Sequence, residues 1–106
     1  MRLAAHAKIN LYLDVIDRFP DGYHAIRSVM QSISLADAVK IELARKTGVV
    51  CPERPDICGV DNLAYRAFET FKTRVGPEAA PEIRVEISKR IPVAAGLAGG
   101  STDAAT

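Results

Sequence analysis

Cysteine is scarce in this sequence: two residues, Cys51 and Cys58, among 106. Two cysteines cannot build the disulfide framework on which small secreted domains depend. The six residues between them do not give the C-x-x-C spacing of a zinc or redox site. His6 and His24 lie elsewhere, so no metal ligand is assigned and both thiols are expected to be reduced. Charge of one sign is lacking too. Fourteen basic and 13 acidic residues leave a net charge of +1, and the longest basic runs are the pairs Arg45-Lys46 and Lys89-Arg90. That argues against nucleic-acid partners and against acidic membrane surfaces. Long apolar runs are also missing. Met1-Arg2-Leu3-Ala4-Ala5 imitates the start of a signal peptide, but His6, Lys8 and Asn10 interrupt it. No window approaches the roughly 18 apolar residues of a membrane span. The expectation is a cytoplasmic protein with no membrane or nucleic-acid partner; nothing in the pattern sets an oligomeric state.

What is present is a hydrophobic fraction of 48%, enough for a core, on a length that allows one domain at most. There is no internal repeat and no low-complexity linker. Residues 8–15 alternate, with Ile9, Leu11, Leu13 and Val15 on one face and Lys8, Asn10, Tyr12 and Asp14 on the other, which predicts a half-buried strand. Pro20 and Asp21-Gly22 mark a turn. A second extended stretch covers about 25–35, with Val29, Gln31, Ile33 and Leu35 sharing a face. Residues 39–43 alternate again, with Lys40 and Glu42 outward. Residues 45–60 are irregular, with a short strand near 49–51. Asp61 reads as a helix N-cap, and Ala64, Ala67, Phe68, Phe71 and Val75 form one apolar stripe. Gly76-Pro77 ends that helix. Residues 82–88 alternate with Ile83, Val85 and Ile87 inward. The predicted fold class is α+β, a mixed sheet with helices on one face.

The richest segment is the last, Ile91-Pro92-Val93-Ala94-Ala95-Gly96-Leu97-Ala98-Gly99-Gly100-Ser101-Thr102-Asp103. Glycines and small residues let a backbone approach an anion closely, and a helix is expected to follow. The segment is neither a Walker A loop, since no Gly-Lys-Ser/Thr closes it, nor a G-x-G-x-x-G dinucleotide fingerprint. By spacing alone it is either a phosphate-binding loop or a tight strand-to-helix connection. Lys89-Arg90 before it is either a polyphosphate contact or a solvated strand end. Lys8 and Asn10 read equally as a solvent-facing strand surface, and Tyr23-His24 as the aromatic flank of a turn.

Four segments occur in order: Ala7-Lys8-Ile9-Asn10-Leu11-Tyr12-Leu13, Arg18-Phe19-Pro20-Asp21-Gly22-Tyr23-His24, Asp61-Asn62-Leu63 and Lys89 to Ala105. Together they resemble the GHMP kinase superfamily, in particular its branch acting on a cytidine-diphosphate-linked methylerythritol in non-mevalonate isoprenoid synthesis. The resemblance implies the superfamily's N-terminal domain, whose fold is similar to one in ribosomal proteins and translation factors. Family members are far longer, so the chain resembles only their N-terminal part. Without the second domain it is expected to be inactive alone.

The resemblance also implies roles. Pro92, Ala94, Ala95, Gly96, Leu97, Ala98, Gly99, Gly100, Ser101 and Thr102 would surround the ATP phosphates, the two hydroxyls lying near Mg²⁺. Asn62 and Lys89 would line the adenosine side. Tyr23 would stack on cytosine, with His24 reading the base edge. Asn10 and the catalytic Lys8 would lie beside the acceptor hydroxyl. The family's Asp, proposed as base or as partner of the Lys, has no counterpart here; Asp14 and Asp103 lie in other segments. The alternatives are a GHMP kinase for homoserine, mevalonate or a sugar, and a non-catalytic nucleotide- or RNA-binding module.

Overall fold

A computed structural model describes the whole chain, residues 1–106. Its sheet is built from β1 (Arg2–Arg18), β2 (His24–Leu43), β3 (Gly48–Val50) and β4 (Ile83–Ser88), in the spatial order β1-β2-β4-β3. β1–β2 and β2–β4 pair antiparallel and β3–β4 parallel, so the sheet is mixed as the sequence predicts. Two α-helices follow the strand-rich start: α1 (Leu63–Val75) and α2 (Gly99–Ala105). A short 3-10 turn at Pro55–Ile57 interrupts the irregular region.

Strand register decides which side chains meet the helices. Ala5 lies opposite Asp37 and Leu3 opposite Val39, while Val39 and Ile41 face Ile87 and Val85 on the other side. These residues share one face because strand side chains alternate. The core is Ala5, Val39, Val49, Cys51, Ala64, Ile83, Val85 and Ile87, with Tyr65 and Phe68 of α1 packed against it. Both helices therefore cover the same face. Lys40, Glu42 and Arg84 occupy the open face, where Lys40 and Glu42 pair at 2.8 Å.

The two extended stretches expected at 25–35 and 39–43 are one strand. Their break in pattern is a register irregularity: His6 pairs with Ala36 but Lys8 pairs with Ser32. A bulge of this kind keeps the ladder running while re-aiming the chain. Beyond it, β1 and β2 continue as a hairpin closed by Phe19–Tyr23, with Gly22 at φ +90°. The hairpin corrects one expectation. Leu11, Leu13 and Val15 do not bury a face; Leu13 is 52% exposed and its neighbours are similar. Alternation reports that a face could be buried, and here no helix reaches far enough along the strands to cover it.

The helix cap is also corrected by one residue. Asn62, not Asp61, caps α1, its side chain accepting from the Ala64 N–H at 2.9 Å. The cap backbone is extended, as a capping residue requires. Gly76 closes the helix at φ +95° and donates its N–H to Lys72. Of the predicted stripe, Ala64 and Phe68 turn toward the sheet and Ala67 is half-buried beside α2, whereas Phe71 and Val75 stay exposed.

Candidate functional site

The connection from β4 to α2 is the most unusual backbone in the molecule. Ala94, Gly96 and Ala98 all lie in the left-handed region, at φ +59°, +72° and +60°. Glycine accepts this freely, but each alanine costs ~1–2 kcal/mol there. Strain of this sort tends to collect at functional loops. Alternation of φ sign is also the backbone pattern from which anion-holding nests of N–H groups are made. The loop forms one wall of a cleft of about 580 Å³. The opposite wall comes from Asp56 to Cys58 and from Asp61 to Leu63, ahead of and at the start of α1.

Neighbouring elements pin the loop at both ends. On one side, Lys8 of β1 donates its backbone N–H to Leu97 O at 3.1 Å and its Nζ to Gly96 O at 2.9 Å. On the other, the chain leaving β4 is held by Asp37 of β2, whose Oδ1 accepts from the N–H groups of Arg90, at 2.5 Å, and Ile91, at 2.8 Å. Lys89 lies between two carboxylates. Its Nζ donates to Asp37 Oδ2 and to Asp103 Oδ2 of α2, the latter at 2.9 Å. The Lys89 side chain is 5% exposed, so it is not a solvated strand end.

Electrostatics separates the two carboxylates. Burial works against the Asp37 charge, but hydrogen bonds from Lys89 and from the Ile91 and Arg90 N–H groups hold its pKa below the usual range. Asp103 has Lys89 alone, and burial pushes its pKa up. Its Oδ1 is buried and has no hydrogen-bond partner. Burial also opposes the Lys89 ammonium, yet the two carboxylates raise its pKa. Across the cleft wall, burial and the neighbouring Cys58 push the Cys51 thiol up to about 12, so it is no nucleophile. Both cysteines are free, as expected.

The structure brings together part of the residue set singled out by sequence. Asn62, Lys89, Pro92, Ala94, Ala95, Gly96, Leu97, Ala98, Gly99, Gly100 and Ser101 all line the cleft. The Asn62 side chain is committed to structure: besides capping α1 it donates Nδ2 to Ile57 O at 2.8 Å. Ser101 is exposed, and its hydroxyl makes no hydrogen bond within the chain. The Thr102 hydroxyl instead turns back into its own helix, toward Gly99 O at 2.9 Å and Ala98 O at 3.2 Å. Lys8 reaches the back of the loop rather than the cleft. Asn10 lies farther along β1, its Oδ1 accepting from Ser28 at 3.2 Å. Tyr23 and His24 stand at the hairpin end, Tyr23 75% exposed and neither lining the cleft. Sequence reasoning missed Asp37 and the use made of Asp103. The signal for Asp37 was available, since it shares an inward strand face with Val39 and Ile41. An acid on an apolar face needs a partner.

Comparison with known proteins bears on this arrangement. The family profile described as "GHMP kinases N terminal domain" matches residues 62–106, which hold α1, β4, the loop and α2. Over that segment the chain is similar to the GHMP kinase family. It is 48% identical over 103 residues to a 4-diphosphocytidyl-2-C-methyl-D-erythritol kinase of Clostridium botulinum, covering 96% of this chain and 36% of that one. It is 50% identical over 107 residues to the kinase of the same name from Symbiobacterium thermophilum, covering 99% and 37%. A crystal structure of 4-(cytidine 5'-diphospho)-2C-methyl-D-erythritol kinase is similar with a TM-score of 0.75 at 38% identity, over 99% of this chain and 37% of that one. The chain thus spans about a third of the length of the curated relatives it matches. No helix is long and apolar enough to cross a membrane.

Proposed function

We propose that these residues are the N-terminal part of the ATP-binding domain of a cytoplasmic kinase. The enzyme transfers the γ-phosphoryl group of ATP to the 2-hydroxyl of 4-diphosphocytidyl-2-C-methyl-D-erythritol. The observation that carries this reading is the Pro92–Gly100 loop: small residues, alternating left-handed positions, and a cleft of about 580 Å³ beside it. That volume falls in the range of small-molecule sites, ~300–1,000 Å³. The loop can offer backbone N–H groups to phosphate oxygens, and from Ala94 to Gly100 Leu97 is its one side chain larger than a methyl group.

Phosphoryl transfer depends mostly on positioning and on stabilising charge. In this reading Lys8 serves both ends of the task. Its backbone and ammonium hold the loop at Leu97 and Gly96, and its charge is assigned to the negative charge that develops on the acceptor oxygen. Losing one such electrostatic contact typically costs ~2.7–4 kcal/mol in the barrier. Mg²⁺ takes one or two protein oxygens together with phosphates and water. The Ser101 hydroxyl, exposed on the cleft wall, suits that need, whereas the Thr102 hydroxyl is already spent on Ala98 and Gly99. Bound Mg²⁺ would neutralise phosphate charge. Asn10, Tyr23 and His24 are assigned to the acceptor, with the exposed Tyr23 ring available to stack on cytosine and His24 to select it. Asn62 and Lys89 are assigned to the walls of the nucleotide site.

The test is a kinase assay on the gene product that carries this sequence, with ATP, Mg²⁺ and either the cytidine substrate, homoserine or mevalonate. Turnover with the cytidine substrate alone is the expected result. His24→Ala should raise KM for that substrate and leave KM for ATP unchanged. Turnover with homoserine or mevalonate instead would replace the acceptor assignment.

A further inference from the structure

We infer that Asp37, which lies on β2 away from the glycine-rich segment in sequence, is the positioning residue for the phosphate loop. The inference rests on the nucleotide-binding reading of that loop. The Asp37 side chain is completely buried, yet every bond it makes goes to the loop's approach. Oδ1 accepts from Arg90 N–H and Ile91 N–H, immediately before Pro92 opens the loop. Oδ2 accepts from Lys89, and Lys89 reaches on to Asp103 in α2, immediately after the loop. Entry and exit of the loop are therefore referred to one carboxylate rooted in the sheet.

Two further observations show that this junction is tight. A Cβ placed on Gly99 would stand 2.9 Å from Ile91 Cγ2 and 3.1 Å from Lys89 Nζ. Only glycine lets α2 settle on the lysine. Lys8 then fixes the middle of the loop at Gly96 and Leu97. With both ends and the middle anchored, Ala94 and Ala98 are held in their strained conformations without help from a ligand. The network is unequal: Asp37 has both oxygens satisfied, while Asp103 leaves Oδ1 unpaired. Control of the loop accordingly lies at the Asp37 end. An apolar residue at 37 would leave the Arg90 and Ile91 N–H groups without their acceptor and Lys89 with Asp103 alone, and the loop would have to move to satisfy them.

The experiment uses the whole gene product and compares Asp37→Ala, Asp37→Asn and Val85→Ala. Val85 is a buried neighbour in the same sheet with no part in the network. Asp37→Ala is expected to raise KM for ATP about tenfold or more, with kcat and the acceptor KM changing less than about threefold. Asp37→Asn keeps an acceptor for the two N–H groups, so it should recover part of that loss. Val85→Ala should lower Tm without moving KM for ATP. An unchanged KM in Asp37→Ala, or an equal rise in Val85→Ala at matched loss of Tm, would overturn the inference. If Asp37→Ala does not fold, Asp37→Asn decides: a rise in KM for ATP supports the inference and a wild-type value overturns it. Calorimetric titration with ATP separates the underlying reading. Wild-type protein that binds ATP but phosphorylates no acceptor removes only the acceptor assignment, and the same variants are then compared by Kd. Wild-type protein that binds no ATP overturns both.

Discussion

The two ends of the β1–β2 ladder carry the same kind of sequence and meet opposite fates. Near the helices, Ala5, Val39 and their partners on β4 form the core, and Ile87 is 1% exposed. Toward the hairpin end, Leu11, Leu13 and Val15 alternate just as well and lie open. Period-two patterning is a statement about which side chains share a face. Whether the face is buried depends on a second layer, and the second layer here is α1 and α2, both at one end. The contrast predicts large effects for changes under the helices and small ones for matching changes in the hairpin. Ile87→Ala should cost ~2–5 kcal/mol in unfolding free energy, the range for emptying a packed isoleucine site. Denaturant unfolding of the 106-residue chain reads this directly.

A sharper version of the comparison sits inside α2, where two adjacent glycines face different surroundings. Gly99 is buried against Ile91 and Lys89, too close for a Cβ, whereas a Cβ on Gly100 would meet only Leu63 Cδ1 at 3.5 Å. Alanine gains up to ~1 kcal/mol over glycine in a helix. At position 100 that gain should appear as a small rise in Tm. At position 99 it is outweighed by overpacking, ~1–3 kcal/mol, because Ile91 is buried and Lys89 is held by two carboxylates. Opposite signs in two neighbouring Gly→Ala variants would confirm that the junction at Lys89 is rigid. Equal signs would mean that α2 can shift away from it.

The parts of the fold that were legible in sequence are those set by local pattern. Ile83, Val85 and Ile87 announced β4, Gly76-Pro77 ended α1, and Pro20 with Asp21-Gly22 marked the hairpin turn. The cap moved from Asp61 to Asn62 because both residue types suit the position, and the choice depends on which one can also reach Ile57 O. The glycine-rich loop was legible as a place where the backbone is bare. Its supports were not, because Asp37 and Lys89 are brought together by strand pairing between segments far apart in sequence. The predicted apolar face at Leu11, Leu13 and Val15 failed for the same reason in reverse, since no local signal says where the helices stop.

Polar ties distinguish the two regions as well. At the helix-covered end Glu82 accepts from Lys72 of α1 and from both the N–H and hydroxyl of Thr47, joining the helix to the loop before β3. The Lys72 ammonium, then Thr47, hold its pKa down at about 2, against an ordinary value of 4.5. A carboxyl whose folded pKa lies below its unfolded one stabilises the fold above the unfolded value. That stabilisation is lost as pH falls through the folded value, because the unfolded chain binds the proton first. Tm should therefore decline between about pH 5 and pH 2, and Glu82→Gln should flatten part of that decline. Asp37, also held below the usual range, contributes in the same direction and leaves a residual slope.

The smallest effect is expected at the hairpin, and it is the one that tests the contrast from the other side. Leu13→Thr introduces a β-branched residue suited to a strand and removes an apolar side chain that is already half in water. No cavity forms, because no layer packs over it, and the ladder bonds to Ser28 are backbone bonds that the substitution leaves alone. Surface substitutions of this kind stay within about 0.5 kcal/mol. A loss comparable to that of Ile87→Ala would show that the hairpin's apolar surface is packed against something in solution. The exposed alternation would then belong to a second buried layer rather than to a free strand face.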